Sequence, residues 1–175
     1  TGVDVSAHVA TDNYSGGVKA GELMAKVLNG KGKVGIISYP TIQSVIDRVE
    51  GFKKAVAAFP DIKIVSIQPG ITRAEALTTS QNMIQGNPDI SGIFGFGDDA
   101  ALAAVAAAKG ADQLKQIKVI GFDGMKEAIA AVDKEDAFVG VIRQYPGKMG
   151  AMSVSTAIKI LKSEKVEKNI PIVPG

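Results

Sequence analysis

Cysteine is absent from this sequence, and histidine occurs once, at His8. Without thiols there are no disulfides and no thiolate metal sites, and a relay of nucleophile, imidazole and acid has almost no candidates. His8 falls inside the first strand-like run, where a structural histidine is the favoured reading over a general base. The missing cysteine leaves the compartment open, because a reduced cytosol and a disulfide-free exported protein both tolerate it. No apolar run approaches the ~20 residues a membrane helix needs. Residues 1–10 also lack the basic start and long apolar core of a secretion signal, so an exported protein would be present as a mature or excised form. Charge of either sign is scarce as a block: 20 basic and 18 acidic residues are spread along the chain for a net +2. Nucleic acid and an anionic membrane surface are therefore not expected as partners.

What is there reads as one globular domain. The 175 residues suffice for a real core, and 46% hydrophobic, 22% charged and 5% aromatic residues exclude the disordered and fibrous classes. Strand and helix signals alternate along the whole chain. A loose strand over 3–10 precedes a helix from Asn13 to about Asn29, capped by Asp12 and stopped by Gly30. Strand 33–38 leads to a helix over about 43–59 with Val45, Val49, Phe52, Val56 and Phe59 at helical spacing. Strand 62–67 follows, then a helix opened by a Thr72/Glu75 capping box. Strand 90–96 runs into an alanine-rich helix capped by Asp98 or Asp99 and ending at Gly110. Strands 117–122 and 137–142 flank a short helix near 125–132, and a last helix over about 148–162 precedes an extended end at 170–173. Short connections and this alternation demand an α/β three-layer sandwich, a mainly parallel sheet with helices on both faces.

The chain is organised around KVIGFDG at 118–124, an apolar run that ends in an acid between two glycines. Such a run reads as a buried parallel strand with Asp123 at its carboxyl edge, the edge where open α/β sheets hold ligands. Asp123 is thus a ligand candidate, or equally a cap for the helix starting near Met125. Residues 95–100, GFGDDA, fit the dinucleotide fingerprint G-x-G-x-x-A after a strand. The motif sits in a late βα turn rather than the first, and two carboxylates open its helix where pyrophosphate needs positive potential. A phosphate role for Gly16-Gly17 is weaker still, and Asp98-Asp99 lack the spaced oxygen ligands of a cation site. No cofactor or metal is expected.

The remaining polar set at strand ends and helix starts is Arg48, Asp98, Asp123 and Gln144. A guanidinium fork and a carboxylate facing one pocket suit a polyhydroxy ligand, because one donates to adjacent hydroxyls and the other accepts from them. For Arg48 the base rate favours a surface residue paired with Asp47 or Glu50. The last helix is unusual: Val154, Ile158 and Leu161 form one apolar stripe, and Met149, Met152 and Ile160 widen it beyond a single face. Such a helix expects more than one buried neighbour.

The motifs ATDNYSGG, IDRVEGF, DIKIVSIQPG, IFGFGDDAAL, KVIGFDG and VIRQYPGKMG, in this order from end to end, make the chain resemble the ribose-type periplasmic sugar-binding proteins, relatives of LacI-type sensor domains. The resemblance implies two similar lobes joined by three hinge crossings, with the sugar clasped between them. Residues 1–175 look like the second, C-terminal lobe, with crossings near 9–12, 143–146 and 171–174, and helix 147–163 would pack on the missing N-terminal lobe. It implies a non-enzymatic sugar or polyol receptor of an ABC importer, periplasmic or extracellular (lipid-anchored in a Gram-positive host), with the membrane permease as partner. The isolated lobe is expected to self-associate through its uncovered surfaces. By the resemblance Arg48, Asp123 and Gln144 carry sugar contacts, and Phe122 lines the pocket. Gly97, before Asp98, replaces an asparagine usual in ribose binders, and Ile71 stands where they carry an aromatic, so another sugar or polyol fits equally. The alternatives are a repressor effector lobe, which is cytoplasmic and dimeric, and, resting on 95–100 alone, a nucleotide-dependent α/β enzyme.

Overall fold

A computed structural model describes residues 3–132, 134 and 137–175; Thr1, Gly2, Asp133, Glu135 and Asp136 lie outside it. The order of elements is β1 (His8–Thr11), α1 (Asn13–Val27), β2 (Lys31–Ser38), α2 (Gln43–Val56), β3 (Asp61–Pro69), α3 (Arg73–Gly86), β4 (Ile90–Gly95), α4 (Asp98–Gly110), β5 (Lys118–Asp123), α5 (Lys126–Val132), β6 (Phe138–Arg143), α6 (Pro146–Leu161) and β7 (Asn169–Ile172). Five strands form one sheet in the order β3-β2-β4-β5-β6, and each neighbouring pair is parallel. The near-continuous apolar runs of β2, β4 and β5 are what burial on both sheet faces requires.

Two cores result, one per face. Ala20, Met24, Phe52, Phe94, Ile120 and Phe122 belong to the cluster under α1 and α2. Phe52 of α2 and Phe94 of β4 stack with centroids 4.6 Å apart. Ile37, Met83, Ile93, Ala101, Ala104, Val119 and Phe138 belong to the cluster under α3 and α4. The helix starts follow the local chemistry in two cases. Asp12 accepts from the Ser15 amide at 3.0 Å, and Thr72 and Glu75 close their reciprocal box.

Three expectations need correction. The first strand covers only His8–Thr11, because β7 offers pairing partners from Asn169 to Ile172 and none to residues 3–7. His8 consequently stands exposed at the strand's first position, and the reading of it as a structural histidine within the run does not hold. Helix α4 is capped by Gly97 with no side-chain bond, so neither Asp98 nor Asp99 serves as its cap.

Helix α6 has two distinct sides. Met149, Met152, Thr156 and Ile160 turn inward, whereas Val154, Ile158 and Leu161 are 62%, 48% and 85% exposed. Close to it, β1, β7 and the end of β6 meet the chain's last residues. β1 pairs with β7, and Arg143 exchanges backbone hydrogen bonds with Gly175 at 2.7 and 3.0 Å.

Candidate functional site

Helices α1 and α2 cross closely enough to place Arg48 over the carboxyl edge of the sheet. The contact is made of glycine: a Cβ at Gly17 would collide with the Arg48 carbonyl oxygen, and one at Gly51 with that of Tyr14. Gly17 thus serves helix packing, whereas Gly16 makes room for the Phe122 ring and Pro174. The approach brings Asn13, at the first turn of α1, against the arginine. Arg48 Nε donates to Asn13 Oδ1 at 2.9 Å, and Nη1 donates to the Phe96 carbonyl at 2.7 Å and to Asp123 Oδ1 at 3.1 Å. Its guanidinium carbon lies 3.8 Å from the centre of the Phe122 ring, a cation–π contact. Arg48 is 7% exposed. The surface-pair reading therefore fails, and the two acids proposed for it are engaged elsewhere: Asp47 accepts from Gln43, and Glu50 pairs with Lys53.

Asp123 ends β5 with a φ of +116°, a conformation that side-chain-bearing residues seldom adopt and that costs of order 1–3 kcal/mol. Its Oδ1 accepts from Arg48 and, at 2.6 Å, from Gln144 Nε2. The Gln144 amide in turn donates to the Asp123 carbonyl at 3.0 Å, and the Thr11 hydroxyl donates to Gln144 Oε1. One carboxylate oxygen thus gathers α2, β5 and the segment after β6. Gly97 lies beside the other oxygen: a Cβ there would stand 3.2 Å from Asp123 Oδ2. Any longer residue at 97 crowds that oxygen, and glycine leaves it open.

Burial dominates the electrostatics. It raises the Asp123 carboxyl above its ordinary value, opposed by the Arg48 charge and the Gln144 bond. It also lowers the Arg48 guanidinium despite the Asp123 attraction. Desolvation outweighs the pairing on both partners, so the ion pair is held by the fold more than it holds the fold.

The expected site residues divide accordingly. Arg48, Asp123 and Gln144 converge, with Gly97 alongside. Phe122 is fully buried and turns its ring face to Arg48, so it supports the arginine rather than lining an open wall. Asp98 is also fully buried, and its Oδ2 accepts from the amides of Gly124 and Met125. It therefore holds the start of the β5–α5 connection, the role the cap reading gave to Asp123. Ile71 is 45% exposed beyond edge strand β3, and β2 and β4 intervene between it and β5. It is not brought to the cluster. Thr11 and Asn13 were not anticipated. Their signal was the run of small polar residues T-D-N where α1 begins, of which only Asp12 had an evident task.

Among the described residues no group of acids and histidine is placed to hold a metal ion. No helix among the described residues is long and apolar enough to cross a membrane.

Comparisons with known proteins agree on one family. A family model described as a periplasmic binding protein domain matches residues 2–165. A ribose import binding protein of Haemophilus influenzae is 35% identical over 170 residues, covering 97% of this chain and 57% of its own length. A periplasmic solute binding protein of Actinobacillus succinogenes, solved with bound D-allose, superposes with a TM-score of 0.91 at 31% identity, over 97% of this chain and 60% of that one. The Caulobacter myo-inositol binding protein, solved with myo-inositol, gives 0.90 at 30% identity, over 100% and 61%. The chain thus spans little more than half the length of these relatives. With its parallel sheet and this match along nearly its whole length, the chain belongs to the periplasmic binding protein domain family.

Proposed function

We propose that this chain is the C-terminal lobe of the sugar- or polyol-binding component of an ABC importer. The observation that carries the reading is the convergence of Arg48, Asp123 and Gln144 at the carboxyl edge of the sheet, with donors and acceptors suited to adjacent hydroxyls. Asp123 Oδ2 and Arg48 Nη2 form no hydrogen bond with the described residues, so each has capacity for a ligand. Gly97 leaves room above that carboxylate, and Phe122 steadies the arginine from below. The names of the three relatives favour an importer receptor over the repressor or nucleotide-enzyme alternatives, and a receptor of this kind performs no catalysis.

The segments 9–12, 143–146 and 171–174 act as hinges to a first lobe. The outward stripe of α6 (Val154, Ile158 and Leu161) packs on that lobe, and in the isolated chain it drives self-association. The complete receptor works outside the cytoplasmic membrane, in the periplasm or lipid-anchored on a Gram-positive surface, and delivers its closed form to a permease. Joining the chain to its first lobe and screening D-ribose, D-allose and myo-inositol by thermal shift tests the reading. A rise in melting temperature with one or more of them is expected; no shift across the panel and related pentoses and hexitols contradicts it.

A further inference from the structure

We infer that Asp98 is a positioning residue for Asp123: its buried carboxylate fixes the two amides that follow Asp123 and so sets the direction of the binding carboxylate. Oδ2 of Asp98 accepts from Gly124 N at 2.8 Å and from Met125 N at 2.6 Å. These bonds grip the chain immediately after a residue held at φ +116° and followed by Gly124 at φ +85°. A backbone so far from its relaxed form keeps its shape only when its surroundings over-determine it, and two charge-assisted bonds to one oxygen do so.

The other oxygen, Oδ1, is buried with no hydrogen-bond partner among the described residues. It rests against β5, where a Cβ at Gly121 would come within 2.6 Å of it. Glycine at 121 is thus the residue that lets this carboxylate enter the fold. A bare buried carboxylate oxygen is expensive, and native structures rarely keep one without a task. The task here is local: Asp98 comes from α4 and ties β5 and α5 to it at the point where Asp123 must face the cleft.

Burial raises the Asp98 carboxyl to about 6, with Asp123 and Asp99 adding in the same direction and the two amides opposing. The charged groups around it are Asp123 on β5, Asp99 on α4 and Arg48 on α2; Asp99 is itself tied to Arg73, which also pairs with Glu127 of α5. Protonation below that value weakens Oδ2 as an acceptor and loosens the grip on Gly124 and Met125.

Amide NMR of the chain between pH 8 and pH 5 tests this without any sugar. The Gly124 and Met125 amide protons are expected far downfield, moving together with a midpoint near 6. In Asp98→Asn that common midpoint disappears, leaving only the movement due to Asp123. A second arm rests on the sugar-receptor reading and uses the two-lobe protein with D-ribose as the probe. Asp98→Ala is expected to lose affinity about tenfold or more, and Asp98→Asn, which keeps an acceptor oxygen, to recover most of it. Gly124 and Met125 amides that do not respond to pH, or that respond identically in Asp98→Asn, overturn the assignment, as does a folded Asp98→Ala with unchanged affinity. If the wild-type two-lobe protein ignores D-ribose, the choice of sugar fails, and the NMR arm still decides the role of Asp98.

Discussion

Arg48 and Gln144 donate to the same oxygen of Asp123, from helix α2 on one side and from the end of β6 on the other. The two donors leave the second carboxylate oxygen beside Gly97. That division gives the carboxylate a fixed orientation and a free acceptor at once. It also ties the segment after β6, a hinge crossing in the proposed receptor, directly to Asp123.

Arg48→Met should therefore cost more in function than in stability. Removing the arginine leaves Asp123 buried on one side with a lost partner, but its side chain is 36% exposed and water can compensate. A loss of about 1–2 kcal/mol in urea unfolding is expected, below the 3–5 kcal/mol of a fully buried pair. A double-mutant cycle with Asp123→Asn should return a coupling of about 1 kcal/mol.

Gly17→Ala tests the helix contact that delivers Arg48. The added methyl group meets the Arg48 backbone oxygen, which cannot move without shifting α2. A destabilisation of about 2–3 kcal/mol is expected, visible as a lowered thermal midpoint. The Val18→Ala change nearby, at a half-buried position, should be milder.

Stability should rise as pH falls from 7 toward 4. The Asp98 carboxyl is near 6 in the folded chain and near 3.8 when unfolded, so the folded state binds this proton more tightly in that window. The gain is on the order of 2–3 kcal/mol at most, and Asp123, also raised, adds in the same sense. Glu75, Asp89 and Glu127 are held low by their partners and act oppositely once pH drops through the ordinary carboxylate range. Urea midpoints should therefore peak in mild acid, and Asp98→Asn should flatten the rise.

Leu161→Glu combined with Val154→Lys should leave folding within about 0.5 kcal/mol of wild type, because both side chains face outward. The pair should nevertheless abolish concentration-dependent association of the 175-residue chain in sedimentation velocity. A wild-type chain that stays monomeric at high concentration contradicts the role given to this stripe.

Much of the fold was legible because alternation and capping are local signals. The Thr72/Glu75 box, the Asp12 cap and the apolar runs of β2, β4 and β5 each announce their element within a few residues. The site was legible only in part. Arg48 looks like a surface residue within its own helix, since Asp47 and Glu50 are adjacent in sequence. Only the third dimension exchanges them for Asp123. Asp98 took over the capping role weighed for Asp123 because a cap is judged from the next few residues, whereas Asp98 reaches Gly124 and Met125 across 26 and 27 positions. Thr11 and Asn13 escaped notice for the same reason: their partners, Gln144 and Arg48, lie 133 and 35 residues away. The first strand was overdrawn because a strand exists only where a neighbour supplies its hydrogen bonds.

The central claim is that Arg48 and Asp123 form one wall of a sugar clasp whose other wall lies on a first lobe. Isothermal titration of D-ribose, D-allose and myo-inositol into the two-lobe protein, its Arg48→Met variant and the 175-residue chain tests it most directly. The account predicts one-to-one binding of at least one of these ligands to the two-lobe protein, at least a hundredfold loss in Arg48→Met, and no measurable heat with the chain alone. Equal affinity in wild type and Arg48→Met, or tight binding by the isolated chain, would contradict it.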